Sequence, residues 1–231
     1  MFSLALPLFL NSLAVIVTER VGLWAVGNNY SKNIVAYYGA SAQIATLIVM
    51  PILVVNSFTM PLIADIYHND TDRKKLERIL RAITTLISIP ISIVYLALIV
   101  YGKDILTLVF NEEYQKGYSV LVLIATGKIF NLICGPCGLV LKMTGHHVKL
   151  VKINYVFAAL TIILVMMIAP IYGPEGVALV IMLSICFQNL VSLELAKRST
   201  GINTFIFLSP SDFLKLATDL KTALRLRSKA K

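Results

Sequence analysis

The chain has 231 residues, of which 58% are apolar and 14% charged, and its mean hydropathy is +0.81. Soluble domains are roughly 45–50% apolar and 25% charged, and a compact soluble fold of this length cannot hide so much apolar surface. A soluble enzyme and a disordered chain are both excluded, and an integral membrane protein is indicated. The net charge of +9 comes mostly from cations that flank apolar runs, so anionic lipids at the membrane surface are the expected electrostatic partners, and nucleic acid is not.

A spanning helix takes roughly 20 residues, and the sequence is predicted to form six such spans. The first covers residues 2–26 and is charge-free up to Glu19-Arg20. It lacks a basic leader and a small-residue cleavage site, so it reads as a span and not a signal peptide. The second covers 34–64, with Pro51 and Pro61 as predicted kinks. A charged loop at 70–81 precedes the third span, 82–101, and a longer connection, 102–117, precedes the fourth, 118–141. A loop at 142–152 follows, and the fifth span (153–171) and sixth (176–195) are joined by the turn Tyr172-Gly173-Pro174-Glu175. Beyond the 1–207 membrane region, Ser209, Pro210 and Asp212 form a helix-start pattern. Phe213, Leu216, Leu220 and Leu224 then recur at helical spacing among Lys215, Lys221, Arg225 and Arg227. The 208–231 tail is thus predicted to be a basic amphipathic helix on the membrane surface.

Charge bias predicts the orientation. The loops after the second and fourth spans and the start of the tail carry ten cations, from Arg73 to Arg198. The other three loops carry only Lys32, Lys103 and Lys116. Both termini are therefore expected to be cytoplasmic, with tyrosines such as Tyr30, Tyr101 and Tyr118 at the outer boundary.

Two cations remain inside the spans, Arg20 and Lys128. A central Lys costs about 2.5–3.5 kcal/mol on insertion scales, so it is expected to face a polar interior or an ion-pair partner. Asn131, Gly135 and Gly138 follow Lys128 at helical spacing, a polar and small stripe that suits a helix contact or a wet cavity. Arg20 lies nearer a membrane boundary, where it is free to snorkel. Gln43, Asn56 and the Ser184/Gln188/Ser192 stripe with Asn189 are expected to form interhelical hydrogen bonds. Cys134-Gly135-Pro136-Cys137 has C-x-x-C spacing, but it sits in an apolar run and reads as a helix break. His146-His147 has no accompanying ligand set. No phosphate-cradling glycine loop, nucleophilic triad or catalytic carboxylate pair is present in the sequence, so neither enzymatic activity nor a cofactor is expected.

Several stretches carry a family resemblance: 34–42 (IVAYYGASA), 56–64 (NSFTMPLIA), 101–106 (YGKDIL) with 111–114 (NEEY), 142–145 (KMTG) and 169–177 (APIYGPEGV). In order and spacing they resemble the C-terminal half of polysaccharide (O-antigen type) flippases of the multidrug/oligosaccharidyl-lipid/polysaccharide exporter superfamily. The resemblance spans about residues 5–200. It implies an all-α, six-span lobe of a two-lobe transporter in the bacterial cytoplasmic membrane. Such a transporter moves undecaprenyl-pyrophosphate-linked oligosaccharide to the outer leaflet for O-antigen, capsule or exopolysaccharide synthesis. Only the second lobe has a counterpart here, so the chain is expected to be a fragment, a truncated product or half of a split transporter. Its expected partner is a missing N-terminal lobe or a second copy. On this reading Lys128 and Arg20 are candidate pyrophosphate ligands, and Asn131, Gln43 and Asn56 candidate partners for sugar hydroxyls. Two alternatives stand beside it: a cation-coupled multidrug-type exporter, and a non-transporting subunit that scaffolds glycan assembly.

Overall fold

A computed structural model describes residues 2–69 and 73–206. Among the described residues the fold is all-helical, without strands. In chain order the helices are α1 (Phe2–Asn29), α2 (Lys32–Leu47), α3 (Met50–Asn69), α4 (Arg73–Val109), α5 (Tyr118–Cys134), α6 (Cys137–Met143) and α7 (His147–Thr200), with a 3-10 turn at Glu112–Gly117 before α5. Four helical runs among the described residues are long and apolar enough to cross a membrane: Met50–Tyr67, Arg73–Val109, Glu112–Cys134 and His147–Thr200. Large apolar side chains such as Phe58, Leu108 and Ile171 point outward and are exposed, which suits lipid and not water. The chain is a multi-pass membrane protein. The amphipathic tail predicted over 208–231 lies outside the described residues.

Proline context decides where the helices break. Pro61, Pro90 and Pro170 lie inside continuous helices, preceded by Met60, Ile89 and Ala169. Pro136 and Pro174 each follow a glycine, and there the helix stops. Gly135 has φ 72° and ψ −170°, and Gly173 has φ 68° and ψ −164°, nearly the same conformation. A residue before proline is pushed out of the α region, and this extended, positive-φ region is essentially open only to glycine. A further break separates α2 from α3, within the stretch read from sequence as one kinked span of 34–64. Helix α2 ends at Leu47, four residues before Pro51. Pro51 has no N–H for the Leu47 carbonyl, and its ring crowds that position. The kink predicted at Pro61 is not a break, since α3 continues through it.

The charged segment predicted as a loop over 70–81 is largely helical. α4 starts at Arg73 and its 37 residues reach roughly 55 Å, well beyond a hydrocarbon core of about 30 Å. The first turns of α4 therefore project past the apolar zone and keep their charges wet. Glu77 and Arg81 pair there at 3.2 Å across one helical turn.

At Gly173, α7 doubles back. Thr161 bonds Ser184, Gln188 Nε2 donates to Asn154 Oδ1 at 2.8 Å, and Lys149 Nζ donates to Ser199 Oγ at 3.1 Å. These pairs link ever more distant residues about one centre, so the two limbs of α7 form an antiparallel hairpin. The hairpin packs against α1, α5 and α6. The main core joins Val21, Ala25 and Val26 of α1 to Tyr38 of α2, Leu121 and Ala125 of α5, and Val177 and Ala178 of α7. Close approach needs small residues. At Gly127 an added Cβ would lie 3.2 Å from the backbone of Met182, so α5 and α7 meet there almost backbone to backbone.

After α7 the chain runs back as a strap, residues 201–206, against the α5–α6 break. In an unbroken helix the Ile133 carbonyl would accept from the Cys137 N–H, which here turns to the Gly135 carbonyl at 2.8 Å. The Ile206 N–H takes its place on Ile133 at 3.1 Å, and the Thr204 hydroxyl donates to the Cys134 carbonyl at 2.8 Å. Arg73 donates to the Thr200 carbonyl (3.1 Å) and Arg81 Nε to that of Asn203 (3.0 Å), tying the end of α7 and the strap to α4. Thr200, Ile202 and Thr204 are fully buried. At the opposite end of the bundle the Tyr30 hydroxyl donates to the Ala169 carbonyl at 2.8 Å and Ser41 Oγ to the Gly117 carbonyl at 2.9 Å.

The two Gly-Pro breaks differ in what surrounds them. A Cβ at Gly135 would overlap the Thr204 carbonyl oxygen, whereas one at Gly173 would meet only the Tyr30 hydroxyl, at 3.6 Å. Both Gly→Ala changes carry about 1–3 kcal/mol of backbone strain. Gly135→Ala adds the clash, so its thermal midpoint in detergent should fall well below that of Gly173→Ala; equal midpoints would contradict the strap contact. Thr204→Val strands a buried carbonyl and should cost about 1–3 kcal/mol, with Thr204→Ser recovering most of it.

Candidate functional site

The helices enclose a cavity of about 860 Å³, to which all seven contribute lining residues. Roughly 300–1,000 Å³ is usual for ligand sites. Among the described residues, three charged ones line it: Glu19 and Arg20 from α1, and Lys128 from α5. The formal balance is two cations against one carboxylate.

Lys128 sits near the C-terminal end of α5, beside the Gly135 break, with its side chain only 16% exposed. Its Nζ lies 3.7 Å from Glu19 Oε1, whose side chain is 56% exposed. The partner expected for a buried Lys is thus present, and it comes from α1. Arg20 makes no ion pair with any described residue and is exposed, so it leaves a formal positive charge on the lining.

Amides make up much of the remaining polar wall. Asn131 Nδ2 donates to Asn189 Oδ1 at 2.9 Å, and Asn189 Nδ2 donates to the Ile185 carbonyl at 2.8 Å. This pair joins α5 to the second limb of α7, and the Gln188–Asn154 bond joins the two limbs of α7 to each other. Gln43 on α2 and Asn56 on α3 line the same cavity and hydrogen-bond no other described residue. The hydroxyls of Thr59 and Thr84 return to carbonyls of their own helices at 2.8 Å, so they add little free hydrogen-bonding capacity.

All five residues singled out from the sequence, Lys128, Arg20, Asn131, Gln43 and Asn56, line this one cavity. Gly135 and Gly138 line it as well, although the break places Gly138 on α6 and not on the helix of Lys128. Ser184 is not on the lining; it bonds Thr161 between the limbs of α7. Asn154 was not anticipated, although a lone amide in an apolar run was its visible signal. The role of Glu19 was not anticipated either, because pairing α1 with α5 is a tertiary fact. Cys134 and Cys137 are buried free thiols on either side of the break.

Residues 1–118 match a family described as polysaccharide biosynthesis protein. The match includes Glu19, Arg20, Gln43 and Asn56 and ends before Lys128 and Asn131. No curated protein and no solved structure matches the chain. The matched region is just over half of the 231 residues, and the chain belongs to the polysaccharide biosynthesis protein family.

Proposed function

We propose that the chain is the C-terminal, six-span lobe of a transporter that flips undecaprenyl-pyrophosphate-linked oligosaccharide across the bacterial cytoplasmic membrane. The observation that carries this reading is the cavity: a formal excess of one cation, with amides from several helices, inside a bundle whose outer surface is apolar. A cation aimed at a pyrophosphate is a direct Coulomb match, and it strengthens where water is sparse. Gln43 and Asn56, amides without a hydrogen-bond partner among the described residues, suit sugar hydroxyls. The six crossings are α1, α2 with α3, α4, α5 with α6, and the two limbs of α7. A facing lobe, either an N-terminal partner or a second copy, completes the cavity, and the lobes rock between inward- and outward-open states. Two cations against one carboxylate make a poor site for a cationic drug. The basic end of the bundle, with Arg73, Arg81 and Lys149, faces the cytoplasm and its anionic lipids.

Flipping is tested in cells that lack their own flippase and co-express this chain with an N-terminal lobe. Lys128→Ala should keep normal protein levels and lose most export of lipid-linked glycan, and Lys128→Arg should retain part of it. Full export by Lys128→Ala at normal levels would sink the reading. Failure of the native pair to export, with glycan synthesis still dependent on the chain, would favour the scaffold.

Orientation is tested by single cysteines on a background without Cys134, Cys137 and Cys186. Lys32→Cys and Tyr114→Cys should react with an impermeant thiol reagent added outside, while Lys75→Cys and Lys149→Cys should not. The reverse pattern would invert the topology.

A further inference from the structure

Among the described residues Glu19 is the single acid on the lining of a cavity that otherwise favours anions, and it is paired with the less exposed of the two cations. Lys128 lies in a span, where an uncompensated ammonium is costly. A structural pair would satisfy that demand best if both partners were enclosed, but only Lys128 is. Its side chain is 16% exposed, whereas that of Glu19 is 56% exposed, so the carboxylate is the partner free to swing away. The 3.7 Å separation is loose compared with the roughly 2.7–2.9 Å of a tight charge-assisted hydrogen bond. Arg20, the next residue, carries a charge that no described residue neutralises.

We infer that Glu19 is a resident counter-ion which occupies Lys128 while the cavity is empty and which the phosphate group of an anionic lipid displaces on binding. The inference rests on the proposed transport reading and adds the regulation of that site. In the empty state Glu19 spares the cavity a bare ammonium. When the ligand enters, its phosphate oxygens take over Lys128 and draw on the unpaired Arg20. When it leaves, Glu19 returns to Lys128. The exchange makes binding weaker than two cations alone would give, and it eases release, since the carboxylate competes for the same ammonium. Glu19 is therefore a positioning residue that tunes affinity and does not contribute to it.

The test uses the 231-residue chain assembled with an N-terminal lobe in nanodiscs of phosphatidylcholine, with undecaprenyl pyrophosphate titrated as the probe. Removing the competitor for the Lys128 ammonium should tighten Kd, so Glu19→Gln is expected to bind about tenfold more tightly than the native chain. Lys128→Gln should bind more weakly. In the double variant the gain from Glu19→Gln should largely vanish, because the carboxylate then has no ammonium to contest. A purely structural pair moves none of these affinities upward and lowers only the thermal midpoint. If Lys128→Gln weakens binding but Glu19→Gln leaves Kd unchanged or raises it, the counter-ion role is overturned while the transport reading stands. If Lys128→Gln leaves Kd unchanged, the transport reading itself fails, and the counter-ion role with it. Should Glu19→Gln not yield folded protein, Glu19→Asp serves in its place: the shorter acid reaches Lys128 less well and should tighten Kd by a smaller factor, and a Kd equal to or weaker than native would overturn the role.

Discussion

An apolar bundle gives its backbone no water to lean on, and the fold is organised by that constraint. Every interruption of a helix frees carbonyls or N–H groups that must find partners inside the protein. At the α5–α6 break the partners come from the far end of the chain. The Thr204 hydroxyl and the Ile206 N–H reach the carbonyls of Cys134 and Ile133, while Arg81 of α4 holds the same strap by the Asn203 carbonyl and Arg73 holds the end of α7 by that of Thr200. A local need for two hydrogen bonds thus joins three distant segments. Around the second Gly-Pro break, Tyr30 ties α1 to the first limb of α7. No buried side-chain polar atom among the described residues lacks a partner, in keeping with the same rule.

The cavity follows from these breaks. A straight α5 would carry Lys128, Asn131 and the next turns down one unbroken face. Ending the helix at Cys134 instead turns α6 away and lets Gly135, Pro136 and Gly138 form part of the wall. The doubled-back α7 brings Asn189 to Asn131 and Gln188 to Asn154, so amides on separate helices face a common space. The charged residues enter it from two directions, Glu19 and Arg20 from α1 and Lys128 from α5. Three charges are enough to give the lining its character, even though most of its residues are apolar.

Proline alone does not say where a membrane helix ends. Among the described residues Pro7, Pro61, Pro90 and Pro170 sit within continuous helices and Pro51 stands in the first turn of α3, whereas Pro136 and Pro174, the two that follow a glycine, mark sharp reversals. Met60, Ile89 and Ala169 cannot adopt the extended positive-φ conformation without strain, and there the helix continues through the proline. Gly135 and Gly173 can, and the chain changes direction.

By itself the sequence determined the membrane environment, the helical class, the two Gly-Pro breaks and which side chains were too polar to face lipid. These follow from composition, span length and local backbone sterics, which need no knowledge of neighbours. It also marked Lys128, Arg20, Asn131, Gln43 and Asn56, since a polar group in an apolar run must be explained wherever the run ends up. Tertiary structure alone decided that these five share one cavity, that Glu19 and not a residue nearby in sequence meets Lys128, and that 201–206 satisfies the break at Gly135. It also turned most of the expected 70–81 loop into the start of α4. The physical reason is the same throughout: helix–helix pairing in an apolar bundle is set by small-residue packing and by hydrogen bonds between segments far apart in sequence, and no local pattern encodes which segments will meet.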